Sequence, residues 1–92
     1  MKKQKTPPLV STTFTYADPL ATTVFVASSF NEWKPDADAL TEVAPGSWQI
    51  ELPLPPGRHE YLFVVDGNWV VDPLALETCP NPHGGVNAVV QV

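Results

Sequence analysis

The sequence reads as an all-β protein, on three grounds. Apolar and polar residues alternate with a period of two along most of the chain, as on half-buried strands. Clusters of Pro, Gly, Asn and Asp interrupt that alternation at short intervals. The eleven prolines are too many for a helical protein but fit short strands and turns. With 92 residues, one domain is the only sensible count. A domain of this size buries roughly 60–65 % of its surface. That suffices for one modest core and a surface site, but not for a deep enzyme cleft as well.

Residues 1–8 read as a flexible polar tail, and 9–92 as the folded domain. Val10, Thr12, Phe14 and Tyr16 alternate with Ser11, Thr13 and Thr15 to make a first strand, which Asp18-Pro19 breaks. Thr23 to Ala27 is β-branched and apolar, the mark of a strand buried on both faces. Phe30 to Asp38 reads as a loop or a single helical turn, and Leu40 to Val43 as a short edge strand. After the Pro45-Gly46 turn, Trp48, Ile50, Leu52 and Leu54 alternate with Gln49, Glu51 and Pro53. A second turn, Pro55-Pro56-Gly57, leads to a longer strand from His59 to Val65, with Tyr61, Phe63 and Val65 on one face and Glu60, Leu62 and Val64 on the other. Asp66-Gly67 is a hairpin signal, since both residue types tolerate positive φ, and Trp69 to Val71 is the return strand. Residues 73–85 read as irregular, and Val86 to Val92 as a last strand. About seven strands separated by turns make an immunoglobulin-like β-sandwich the expected architecture.

The formal net charge of −5 argues against nucleic acid and anionic membranes as partners, since both demand a basic patch. Three of the five basic residues, Lys2, Lys3 and Lys5, lie in the tail, so the body is more acidic still. A neutral polymer makes no demand on charge. Cys79 is the single cysteine, so no intramolecular disulfide forms. The Lys-rich start has no continuous apolar run behind it, and a cytoplasmic location is the expectation.

Catalytic chemistry finds little support. The acidic residues fall on turns or polar strand faces, where no carboxylate pair is set to hold a raised pKa. His59 and His83 lack partners at metal-ligand spacing and read as surface histidines. Cys79 has no activating base beside it and reads as an inert thiol. No metal or cofactor is expected.

The tryptophans are more informative. Trp48 keeps register with Ile50 and Leu52 and reads as core. Trp33 follows Phe30-Asn31-Glu32 in a polar loop, and Trp69 follows the Asp66-Gly67-Asn68 turn, so neither has a periodic reason to be buried. An indole covers the apolar C–H face of a glucose ring and attracts its polarised hydrogens. Such a contact removes on the order of 100 Å² of apolar surface, worth ~2 kcal/mol before the costs of binding. Two together support micromolar to millimolar affinity.

An ordered set of motifs then carries a family resemblance. Phe30-Asn31-Glu32-Trp33, Trp48 with Leu52-Pro53, Pro56-Gly57-Arg58-His59-Glu60-Tyr61, Phe63-Val64-Val65-Asp66-Gly67-Asn68-Trp69, Asp72-Pro73 and Gly85-Val86-Asn87 resemble carbohydrate-binding module family 48. This is the glycogen-binding domain of the AMP-activated protein kinase β subunit and of branching and debranching enzymes. The resemblance spans about residues 20 to 92. It implies an early-set immunoglobulin-like sandwich and binding of α-1,4-glucan. It also implies stacking of sugar on Trp33 and Trp69 and hydrogen bonding from Asn87. The family's basic contact falls at Leu62, and its leucine and threonine in the last loop fall at His83 and Gly85. His83 is a candidate to supply a replacement hydrogen bond. Asp66 is expected to shape the hairpin, and Phe30 to pack under its loop.

Three functions compete at this point. The first is an α-glucan-binding module. The second is a docking module for a carbohydrate-active enzyme or kinase that has lost sugar binding, a reading favoured by Leu62. The third, an independent hydrolase, is the least supported.

Overall fold

The structure is a computed structural model that describes residues 8–92. Apart from Pro8, the polar tail expected over 1–8 lies outside the described residues. Nine short strands form two antiparallel sheets, and no helix occurs among the described residues.

One sheet has three strands. β1 (Val10–Ala17) pairs along its whole length with β5 (Ser47–Leu54), and β4 (Thr41–Ala44) lies on the far side of β5. The other sheet runs in the order β3 (Asp38–Ala39), β2 (Val24–Ser28), β6 (Arg58–Val65), β9 (Val86–Gln91), β8 (Glu77–Pro80), with β7 (Asn68–Val70) also on β6. The register of β6 positions everything that follows. Its residues 61–65 pair with β2 on one edge. On the opposite edge, residues 58–61 pair with β9 and residues 63–65 with β7. Strands β7 and β9 thus lie end to end along one edge, and the sheet has a step where they meet.

The core lies between the sheets. Phe14, Trp48 and Leu54 come from the three-stranded sheet, and Val24, Val26, Tyr61, Phe63, Val65 and Ala88 from the other. Phe14 packs edge-on against Tyr61 with ring centroids 5.0 Å apart, and Tyr61 against Phe63 at 5.7 Å. Such edge-to-face pairs add to the gain from burial. Tyr61 keeps its hydroxyl satisfied by donating to Asp72 Oδ2 at 2.6 Å. Burial and the adjacent carboxylate both push its pKa upward. Leu40 is buried where the chain crosses from β3 in one sheet to β4 in the other.

Two turns show why these sequences end their strands. Asp66 and Gly67 both have positive φ, 49° and 85°, as the two-residue hairpin from β6 to β7 requires. Asp66 Oδ1 also accepts from the backbone N–H groups of Thr22 and Thr23 at 2.9 and 2.8 Å, tying the hairpin to the start of β2. These bonds hold its carboxyl below the usual range. At Pro45-Gly46 the glycine has φ 75°, and a Cβ there would meet the Pro19 Cα at 3.1 Å.

The all-β sandwich, the doubly buried second strand and the edge strand near residues 40–43 agree with the sequence reading. The strand count differs: nine rather than about seven. The extra strands are β3, only two residues long, and β8, which lies in the segment read as irregular. In β8 the residues Glu77-Thr78-Cys79-Pro80 have no hydrophobic alternation, because the strand buries no face: Cys79 is partly buried and the other three are exposed. His59 is also not a plain surface histidine. It is partly buried, its ring stands edge-on to Phe30 with centroids 5.9 Å apart, and its Nε2 lies 2.7 Å from the Pro55 carbonyl oxygen.

Candidate ligand-binding site

The step between β7 and β9 opens a concavity of about 810 Å³ on the outer face of the larger sheet. Trp33, Trp69, His83 and Asn87 all line it, joined by Glu60 and Leu62. The four residues singled out in the sequence thus converge from three separate places: the loop after β2, strand β7, and the β8–β9 loop with the start of β9.

Each is held by its own local structure. Trp69 lies opposite Val64 on β6, which has Phe25 on its other side. Val64 is buried although it belongs to the outer face, while Trp69 itself is 50 % exposed. The indole therefore covers part of Val64 and leaves the rest of its surface free. Trp33 is only partly exposed, less than its polar loop suggested. It and Glu32 are consecutive residues with positive φ, 58° and 61°. That conformation costs an ordinary residue about 1–2 kcal/mol, so surrounding bonds must impose it.

Asn31 imposes it. Its Oδ1 accepts from Ser28 N at 2.9 Å, and its Nδ2 donates to the Val26 carbonyl at 2.9 Å and to Asp38 Oδ2 at 2.8 Å. The Ser28 carbonyl in turn accepts from the N–H groups of both Asn31 and Trp33. Asn31 acts as an internal brace that fixes where Trp33 stands. Replacing Asn31 with alanine is expected to lower stability by about 1–3 kcal/mol, since it leaves partly buried backbone groups unpaired. A urea unfolding curve measures this, and a loss under 0.5 kcal/mol would remove the brace from the account.

Asn81 does the same for the last loop. Its Oδ1 accepts from the backbone N–H groups of His83 and Gly85 at 2.9 and 3.1 Å, and its Nδ2 donates to Asn87 Oδ1 at 3.2 Å. His83 is exposed at the rim. Asn87 is buried and donates through Nδ2 to Glu60 Oε1 at 3.1 Å. Glu60 Oε2 accepts from Arg58 at 2.8 Å. The Asn87 hydrogen bond first, then the Arg58 one, hold the Glu60 carboxyl down to about 2.

A depressed carboxyl stabilises the fold above its unfolded pKa, and that contribution fades as pH falls from about 4.5 toward 2. The melting temperatures of the native protein and Glu60→Gln should therefore differ most above pH 5 and converge near pH 2. A gap independent of pH would contradict this role.

Sequence reasoning held Asn31 and Glu60 only as members of motifs, with no role assigned, and did not single out Asn81. Glu60 was nonetheless legible as a neighbour of Leu62 on the outward face of one strand. Asp66 and Phe30 stand as expected: Asp66 braces the hairpin, and Phe30 packs on Phe14 with ring centroids 5.8 Å apart.

Comparison with known proteins decides the family. The model of the glycogen recognition site of AMP-activated protein kinase matches residues 10–92. This chain belongs to that family of glycogen- and starch-binding modules. Among curated proteins, the amyloplastic phosphoglucan phosphatase DSP4 of Castanea sativa is 31 % identical over 80 residues, 87 % of this chain and 21 % of its own length. The 5'-AMP-activated protein kinase subunit beta-1 of Sus scrofa is 36 % identical over 69 residues, 75 % of this chain and 53 % of its own. The chloroplastic protein PTST homolog 2 of Arabidopsis thaliana is 37 % identical over 54 residues, 59 % of this chain and 10 % of its own. The chain thus spans between a tenth and about half of these relatives, and the family is one of carbohydrate-binding modules rather than catalytic domains.

Proposed function

We propose that this domain binds α-1,4-glucan without catalysing a reaction, on a platform of Trp33 and Trp69 within the concavity. The convergence of both indoles with Asn87 and His83 supports this reading most strongly. Trp69 offers a half-exposed face and Trp33 a partly exposed one. Val71 and Val86, both exposed, extend the apolar lining. Sugar hydroxyls meet Asn87, whose Nδ2 carries a second N–H beyond the one given to Glu60. His83 lends a rim hydrogen bond where the family has an apolar side chain.

Electrophoresis through a gel containing glycogen tests the reading. Retarded migration relative to a glycogen-free gel is expected, and unchanged mobility would contradict it. A second reading, a docking module without sugar binding, draws on Leu62 in the concavity and on the exposed Leu74 and Leu76 in the loop between β7 and β8. It requires the unretarded result.

A further inference from the structure

The fixed charge lining the concavity is of one sign. Of the residues lining it, Glu60 is the one with a fixed charge, and His83 is the one other titratable group. Leu62, at the centre of the lining strand, brings no cation. Residues 8–92 hold ten carboxylates against two permanent cations, Lys34 and Arg58. Both cations are engaged. Lys34 Nζ lies 3.5 Å from Glu32, and Arg58 reaches Glu60 at 2.8 Å and Glu77 at 3.9 Å. The Arg58 guanidinium offsets part of the Glu60 charge but faces two carboxylates, so the cluster of Arg58, Glu60 and Glu77 keeps a net negative charge.

Resting on the proposed glucan-binding reading, we infer that the concavity selects neutral glucan and rejects phosphorylated glucan, with Glu60 as the discriminating residue. The reasoning is electrostatic. A neutral hydroxyl donates to a carboxylate oxygen, and such charge-assisted bonds are among the stronger ones. A sugar phosphate monoester carries a charge of about −1.5 to −2 near neutral pH. Set beside Glu60, with no free cation among the described residues of the lining, it meets repulsion in place of that bond. At separations of about 8 Å and an effective dielectric between surface and bulk values, the penalty is roughly threefold or more in affinity at low salt.

The test compares β-cyclodextrin with its mono-6-phosphate, each titrated into the full chain by calorimetry. The buffer is held at pH 8, at about 20 mM and then about 500 mM salt. The neutral ring should bind with little salt dependence. The phosphate ester should bind at least roughly threefold more weakly at low salt, and the gap should close at high salt. Glu60→Gln should narrow the low-salt gap. Leu62→Lys, which leaves the Glu60 bonds in place, should abolish or reverse it. Equal or tighter binding of the ester at low salt would overturn the selectivity while leaving the glucan platform standing. Failure of the neutral ring to bind would overturn both.

Discussion

Replacing Trp48 with alanine is expected to destabilise the domain by about 3–5 kcal/mol. Trp48 is 6 % exposed, sits between Tyr16 of β1 and Glu42 of β4 in the three-stranded sheet, and belongs to the buried cluster between the layers. Its indole nitrogen donates to the Asp18 carbonyl at 3.4 Å, a long contact that adds little. The loss is therefore mainly one of packing, since alanine leaves a cavity that rigid neighbouring strands cannot close. Domains of this kind are stable by about 5–15 kcal/mol in total, so the variant keeps a small margin or none. Urea unfolding at 25 °C measures it. A change below about 1 kcal/mol would mean that Trp48 is not a core residue and that the tryptophans have been assigned to the wrong roles.

The double variant Trp33→Ala/Trp69→Ala should behave in the opposite way. It is expected to stay folded and to lose glucan binding by roughly a hundredfold or more, taking each stacking contact at ~2 kcal/mol before binding costs. Trp69 covers part of Val64, and Trp33 sits on a loop held by Asn31, so a modest loss of stability accompanies the change. Isothermal calorimetry with maltoheptaose, set beside an unfolding curve for the same variant, separates the two effects. Undiminished binding in a folded variant would remove the indoles from the site.

Much of this was legible in the sequence, for definable reasons. Strands with one face on the core carry a period of two, so β1 and β5 could be read from alternation alone. The Asp66-Gly67 turn could be read from residue chemistry, because few side chains accept two consecutive positive φ angles. Strand β8 could not. This strand owes its place to pairing with β9 rather than to a buried face, and Glu77-Thr78-Cys79-Pro80 shows no alternation. For the same reason the sequence could not bring Trp33, Trp69 and Asn87 together. Their proximity depends on β7 and β9 sharing one edge of β6, which is a matter of pairing between segments distant in the chain. The braces Asn31 and Asn81 were hidden for another reason. A loop asparagine ordinarily reads as a turn former, and only the partners of its side chain reveal that it fixes a neighbour. The left-handed backbone at Glu32 and Trp33 was likewise invisible, since neither residue type announces it.

The most direct test follows tryptophan fluorescence while β-cyclodextrin, a rigid mimic of an α-glucan turn, is titrated into the protein. Binding at Trp33 and Trp69 predicts a saturable change at micromolar to millimolar ligand, absent when both are replaced by alanine. No change up to several millimolar, or a change that survives in the double variant, would contradict the platform.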